Sequence, residues 1–278
     1  MKSAAFEYVR PASLAEAVDC IASTTASGRD AQVLAGGQSL LAMMNLRVAS
    51  PDFLVDISRI EQLKAAQDKP DAIHLGACVT HAAIEDGRVP DPSRGLMRKI
   101  AGNLAYRAIR TRGTIGGSLA LSDPAADWVT AMQALGARIA LVGPKGRREV
   151  EAEKFTIGIY ETVREPDEII ESISIPKLSQ AARWGFSKFC RKSGEFAHSV
   201  VAAVLDPSRS AARVVLGGSG AAPMVLRQAS QSLCELAGID DIERAAAIDL
   251  AGREDAHDEF QCSVHGAMIA RAVSQVLA

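Results

Sequence analysis

Two glycine pairs and two carboxylates are the groups in this chain whose types and spacing suit shared chemistry. Between Ile109 and Trp128, Thr114 precedes Gly116 and Gly117, Ser118 follows, and Asp123 and Asp127 come after a short apolar run. Glycine reaches positive φ and lets backbone approach a ligand closely. The N–H groups of such a turn cradle phosphate oxygens, and a downstream carboxylate accepts hydrogen bonds from sugar or polyol hydroxyls. The same residues also read as a tight turn before an ordinary helix started by Asp123-Pro124-Ala125. About 80 residues earlier, Leu34-Ala35-Gly36-Gly37-Gln38-Ser39-Leu40 repeats the plan of an apolar run, a glycine pair and a small polar residue. Two such loops are placed to approach one long dinucleotide from two sides. The amides of Gly36, Gly37, Gln38 and Ser39 would bind a pyrophosphate, with the Ser39 hydroxyl added. Thr114, Gly116, Gly117 and Ser118 would do the same from the other side. Asp123 and Asp127 then bind polar hydroxyls or only cap a helix.

The elements that must position these loops follow from periodicity and punctuation. Residues 6–10 alternate as a strand before Pro11, and Ser13 with Glu16 forms a capping box for a helix striped by Leu14, Ala17, Val18 and Ile21. Residues 31–35 read as a buried strand delivering the first glycine loop, a usual ligand position in α/β units. A helical turn or two over 40–47, stopped by Pro51, and a strand over 53–57 complete a small first unit. Further on, the pattern predicts a strand over 73–77, a helix over 81–86, and a helix over 91–106 broken near Gly102. Gly113 and the Gly116–Gly117 pair are expected to prevent a continuous helix. A helix over 127–136, a hairpin turning at residues 143–146, a segment over 155–160 and a half-buried strand over 168–175 follow, with Pro176 as a boundary. Beyond it come strands over 184–191, 199–205 and 212–216, a glycine-rich turn at 217–220, and helices over 230–237, 242–251 and 258–276. The last of these is expected to cover the sheet or to face a partner.

Composition excludes several classes. The chain has 278 residues, enough for two cored domains. Its formal net charge of -2 and 4% aromatic content argue against nucleic acid or an anionic membrane surface. No apolar run reaches the roughly 20 residues of a membrane span, and the N-terminus lacks a signal-peptide core, so a cytoplasmic protein is expected. Five scattered cysteines (20, 78, 190, 234 and 262) lack iron–sulfur or zinc spacing and are expected to be buried thiols. The five histidines, His257 included, form no metal-ligand pair. No G-x-G-x-x-G after a strand and no G-x-x-x-x-G-K-[ST] is present, which disfavours a Rossmann dehydrogenase and a P-loop NTPase.

The two glycine segments, LAGGQSLLAMMNLRVASPDFLVDISRI and RTRGTIGGSLALSDPAADW, together with KFCRKSGEFA at residues 188–197, resemble the signatures of the FAD-binding medium subunit of molybdenum hydroxylases, the carbon monoxide dehydrogenase and xanthine dehydrogenase relatives. The three occur in that family's order and span nearly the whole chain. The resemblance implies an α+β protein. It implies an FAD-binding domain over 1–176, of two α/β subdomains (about 1–57 and 58–176) in a vanillyl-alcohol-oxidase-like flavin fold, ahead of a smaller antiparallel sheet-plus-helices domain over 177–278. It implies non-covalent FAD held at Leu34 to Leu40 and by the second loop, with backbone near Ile170 touching the flavin ring. Lys188 would stand near the pyrimidine edge, where a cation favours the anionic reduced ring; without the resemblance, Lys188 reads as a solvated surface lysine. Many relatives have Gly-Asp-Tyr-Ala where this chain has Gly194-Glu195-Phe196-Ala197, so Phe196 keeps a shielding ring but loses a hydroxyl. The resemblance implies no catalytic residue and no metal on this chain. A small partner would carry [2Fe-2S] clusters and a large partner the molybdenum pterin, in a dimer of heterotrimers. This chain's FAD would pass electrons to an external acceptor.

Two other readings compete. A free-standing flavin oxidase is weakened by the lack of histidine or cysteine in either glycine loop and of a substantial substrate domain. A non-catalytic nucleotide-binding scaffold is separated from the enzyme by bound, reducible flavin.

Overall fold

The computed structural model describes residues 2–251 and 259–278; His257 and Asp258, the expected start of the last helix, lie outside the described residues. Strand β1 (Glu7–Val9) leads to helix α1 (Leu14–Ala26), β2 (Ala31–Leu34), the short α2 (Leu40–Asn45) and β3 (Phe53–Asp56). Ser13 caps α1 by accepting from the Glu16 amide, while Glu16 reaches back to the Ala12 amide. The three strands pair in parallel in the order β1-β3-β2, and α1 packs its apolar stripe on Val55 and Ile57. Helix α2 ends before Pro51, at Asn45, because Arg47 takes a φ of 58°.

The second sheet is antiparallel. Strands β4 (Ala66–Asp68) and β5 (Ala72–Gly76) precede helices α3 (His81–Glu85), α4 (Leu96–Asn103), α5 (Arg107–Arg110), α6 (Ile115–Leu121) and α7 (Asp127–Ala134). Then come β6 (Arg138–Gly143), β7 (Gly146–Glu151), α8 (Ala152–Phe155), the hairpin β8 (Thr156–Gly158) and β9 (Glu161–Thr162), and β10 (Ile169–Pro176). The sheet order is β4-β5-β10-β6-β7. Helix α4 starts at Leu96 rather than near 91, because the Asp91 carboxylate takes the amides of Ser93 and Gly95 and bends the chain before Gly95 at φ 97°. Residues 155–160 are the end of α8 and a tight hairpin, with Tyr160 at φ 57°.

The third sheet, β11 (Arg183–Phe189), β12 (Ser199–Asp206), β13 (Ala211–Gly217) and β14 (Met224–Val225), is antiparallel in sequence order. Helices α9 (Arg227–Cys234), α10 (Ile239–Ala251) and α11 (Glu259–Leu277) cover one face. Helix α11 turns Met268, Ile269, Ala272, Val273 and Val276 inward, so it covers the sheet; Phe260 is exposed. The other face of β12 and β13 joins α7 and the second sheet in a shared core of Trp128, Met132, Val200, Ala202 and Val215. Every residue of α7 is buried. Of the cysteines only Cys78 is buried, its thiol pushed up to about 12 by burial; Cys262 is exposed, correcting the expectation of buried thiols. No described helix is long and apolar enough to cross a membrane.

Candidate functional site

A cavity of about 590 Å3 runs between the parallel sheet, the second sheet and the start of the third. Volumes of a few hundred cubic ångströms are usual for cofactor sites. Its wall contains Leu34, Ala35, Gly36, Gly37, Gln38, Ser39, Leu40, Thr114, Gly116, Gly117, Ser118, Asp127, Ile170, Lys188 and Phe196. Of the residues singled out from the sequence, Asp123 alone stands outside this wall. Its Oδ1 accepts from the Ala125 amide and its Oδ2 from the Tyr160 hydroxyl, so it braces a turn and the β8–β9 hairpin.

The first loop leaves β2 with its amides unused. Among the described residues no acceptor meets the N–H groups of Gly36, Gly37, Gln38 or Ser39. Ser39 precedes α2 without a side-chain cap bond, leaving its hydroxyl available. Gly37 sits at φ 73°, which an L side chain adopts only with strain. Gly36 is required for a different reason: a Cβ there would lie 2.1 Å from the Arg112 carbonyl oxygen. The first loop is thus built directly against the backbone preceding the second.

The second loop differs from its expected form. Gly116 and Gly117 are not a turn but the first turn of α6, capped by the Thr114 hydroxyl on the Gly117 amide. The Gly116 amide goes to Ala77, and the Ser118 amide to the Thr114 carbonyl. These amides are spent inside the fold, so what α6 presents to the cavity is hydroxyl and close-packed backbone rather than an amide cradle. Gly116 has no room for a side chain, since a Cβ would lie 2.5 Å from the Ala77 methyl. The interruption between helices α5 and α6 falls at residues 111–114, before the glycine pair.

At the other end, Asp127 opens α7, where a carboxylate suits the helix dipole. It does not cap the helix; its Oδ2 accepts from Lys188 Nζ of β11 at 2.8 Å. Lys188 is therefore a largely buried ion-pair partner, with 10% of its side chain exposed, and not a solvated surface lysine. Burial pushes the Asp127 carboxyl up, and Lys188 opposes the shift. Asp127 Oδ1 is sealed from solvent and has no hydrogen-bond partner. A buried carboxylate oxygen without a donor is costly, and this one belongs to a residue of the cavity wall. Ile170 lies at the edge of a register shift between β10 and β6. Phe196 is 59% exposed, on the 190–196 loop that Gly194 ties to the Ala105 amide.

Several wall residues carried no signal in the sequence. His81 and Trp128 pair in the wall, Trp128 Nε1–H donating to His81 Nδ1 at 3.1 Å. Burial, with Arg110 adding to it, lowers the His81 pKa to about 4 and keeps the ring neutral. Arg164 and Glu168 line the cavity beside Ile170. Glu168 holds Arg148 through both oxygens, at 2.6 and 2.7 Å. Only the Thr80-His81 helix start was visible, and it says nothing of which way the ring faces.

Residues 4–178 match the family described as the FAD binding domain in molybdopterin dehydrogenase. The chain is similar to the nicotine 6-hydroxylase medium subunit of Paenarthrobacter nicotinovorans, 35% identical over 79% of this chain and 76% of that one. It is similar to the carbon monoxide dehydrogenase medium chain of Hydrogenophaga pseudoflava, 32% identical over 97% of this chain and 96% of that one. A solved structure of the Hydrogenophaga pseudoflava carbon monoxide dehydrogenase, lacking the Mo-pyranopterin moiety, superposes with a TM-score of 0.91 at 32% identity, covering 99% of this chain and 98% of that one.

Proposed function

Since the chain belongs to the FAD-binding medium subunits of molybdenum-dependent oxidoreductases, we propose that it holds FAD non-covalently between its glycine loops and carries electrons from partner-borne [2Fe-2S] clusters to an external acceptor. The observation that carries this reading is the coincidence, in one cavity, of four unused loop amides and a sealed, unpartnered carboxylate oxygen. Amides without acceptors fit a pyrophosphate, and a lone carboxylate oxygen fits a hydroxyl or N–H of the cofactor.

When bound, FAD supplies a ring that accepts and returns electrons. The protein groups hold and orient it. Gly36, Gly37, Gln38 and Ser39 bind the pyrophosphate. Thr114 and Ser118 add hydroxyls, while Gly116 and Gly117 let α6 stand close. Leu34, Ala35 and Leu40 supply apolar wall. Asp127 accepts from the cofactor through Oδ1 while its other oxygen fixes Lys188. The Ile170 backbone meets the ring, and Phe196 screens its outer edge. Asp123 acts through Tyr160 and the turn.

Within the same reading, the flavin-binding part ends at residue 176, with subdomains meeting at 57 and 58, and the chain assembles in the cytoplasm. Its partners are a small [2Fe-2S] chain and a large molybdopterin chain, in a dimer of heterotrimers. Relatives named for nicotine and for carbon monoxide match this chain in sequence over most of its length, which supports substrate binding on another chain. A visible absorption spectrum of protein purified gently from its native host tests the proposal. Flavin bands over an iron–sulfur envelope are expected. A colourless protein that also refuses added FAD would overturn it.

A further inference from the structure

The cavity wall carries several titratable groups, and most of them are paired, neutral or screened. Asp127 and Lys188 pair at 2.8 Å. Glu168 is taken by Arg148, which stands outside the wall. His81 is held neutral by burial. Glu195 is exposed at the mouth, where water screens it. Arg164 remains. Its Nη1 donates to the carbonyl oxygens of Glu165 and Glu168, at 3.0 and 2.9 Å, which fixes the guanidinium beside the entry to β10 and Ile170. Neutral carbonyls do not cancel its charge, and the neighbouring Glu168 carboxylate, which attracts it, is already held through both oxygens by Arg148. Nε is sealed from solvent without a partner, and Nη2 meets no acceptor among the described residues. A guanidinium stays protonated in proteins, so a positive charge with an unused Nη2 donor stands at this end of the cavity.

We propose that Arg164 is the cation that sets the potential of the bound flavin, by stabilising negative charge on the reduced ring. A two-electron, one-proton reduction leaves the ring anionic, whereas the oxidised ring is neutral. A fixed cation in a dry wall therefore binds the reduced form more tightly, and linkage turns that difference into a higher midpoint potential. Lys188 is poorly suited to this task because its charge is matched by Asp127. The inference rests on the FAD placement proposed above, with the ring at the Ile170 end.

The test compares wild type, Arg164→Gln and Arg164→Lys as full chains loaded with FAD. Flavin midpoint potentials and dissociation constants for FAD and for ADP are measured. Gln keeps an N–H2 group for the two carbonyls but not the charge. In R164Q the preference for reduced over oxidised FAD is expected to fall about tenfold, a downward shift of about 30 mV for a two-electron couple. R164K is expected to keep most of the wild-type potential, and ADP binding to stay unchanged in both. An R164Q protein that holds FAD at the wild-type potential overturns the inference and leaves Arg164 as a pin for the 162–168 loop. Equal weakening of oxidised FAD, reduced FAD and ADP also overturns it, by putting the arginine at the pyrophosphate. A wild-type chain that takes up no FAD removes the underlying reading and this inference with it. Should R164Q not fold, a potential in R164K moved as far as removal of the charge would move it is the overturning result, and a retained one the supporting result.

Discussion

His81 should make the stability of this protein fall as pH is lowered from 7 to 5, by an amount the structure specifies. The residue is 8% exposed, and its ring Nδ1 is occupied as acceptor by the Trp128 indole N–H. Protonation would put a donor where a donor already points, and would place a charge in a desolvated wall near Arg110. The folded-state pKa is accordingly about 4, against about 6.5 for an unperturbed histidine. Between those values the unfolded chain binds a proton that the native state refuses, so acid favours unfolding. The contribution is fully present above about pH 6.5 and is lost as pH falls toward the folded-state value. A gap of about two and a half pH units, at about 1.36 kcal/mol each, is about 3 kcal/mol when complete, of which about 2 kcal/mol falls between pH 7 and pH 5. Urea unfolding of wild type and His81→Gln at both pH values, under identical cofactor conditions, measures it. Gln keeps an acceptor for Trp128, so H81Q should be weaker than wild type at pH 7 yet lose about 2 kcal/mol less on going to pH 5. Parallel losses in the two proteins, or a His81 ring resonance that titrates near 6.5, would refute the reasoning.

Other substitutions probe the rest of the wall. Gly36→Ala drives a methyl into the Arg112 carbonyl; about 1–3 kcal/mol of stability and a clear loss of FAD affinity should follow, read by unfolding and by flavin fluorescence titration. Gly266→Ala is the contrasting case, a glycine within α11 whose Cβ position is open; it should raise stability by about 0.5–1 kcal/mol and leave the flavin spectrum unchanged. Asp127→Ala strands Lys188 in the wall and should cost about 3–5 kcal/mol, whereas the double change Asp127→Leu with Lys188→Met should recover most of that loss. Strict additivity of the Asp127 and Lys188 changes in a double-mutant cycle would contradict the buried pair.

What the sequence disclosed and what it hid divide by the range of the interaction that decides each feature. Capping at Ser13, the strand before Gly36 and the 168–175 strand are local, and the corresponding elements stand where those patterns put them, though β2, expected to be buried, is half-buried because it is an edge strand. The start of α4 was missed because one Asp91 carboxylate competes for two amides, an arrangement composition does not reveal. The glycine pair at 116 and 117 was misread for a related reason. Glycine is expected where φ turns positive, but these two are helical and owe their identity to Ala77 and to the Thr114 cap, partners that only the folded chain brings near. The same long-range origin explains Lys188, whose exposure depends on Asp127, 61 positions earlier. It also explains the silence over Arg164: an arginine in a loop reads as solvated until the carbonyls of Glu165 and Glu168 hold it against the cavity and Arg148 shares the Glu168 carboxylate that attracts it. The motif residues could be found because a ligand's phosphate demands glycine and free amides at short spacing. The charge balance around a flavin makes no such local demand; it is summed over side chains from four elements or the loops between them, and each of its members looks ordinary alone.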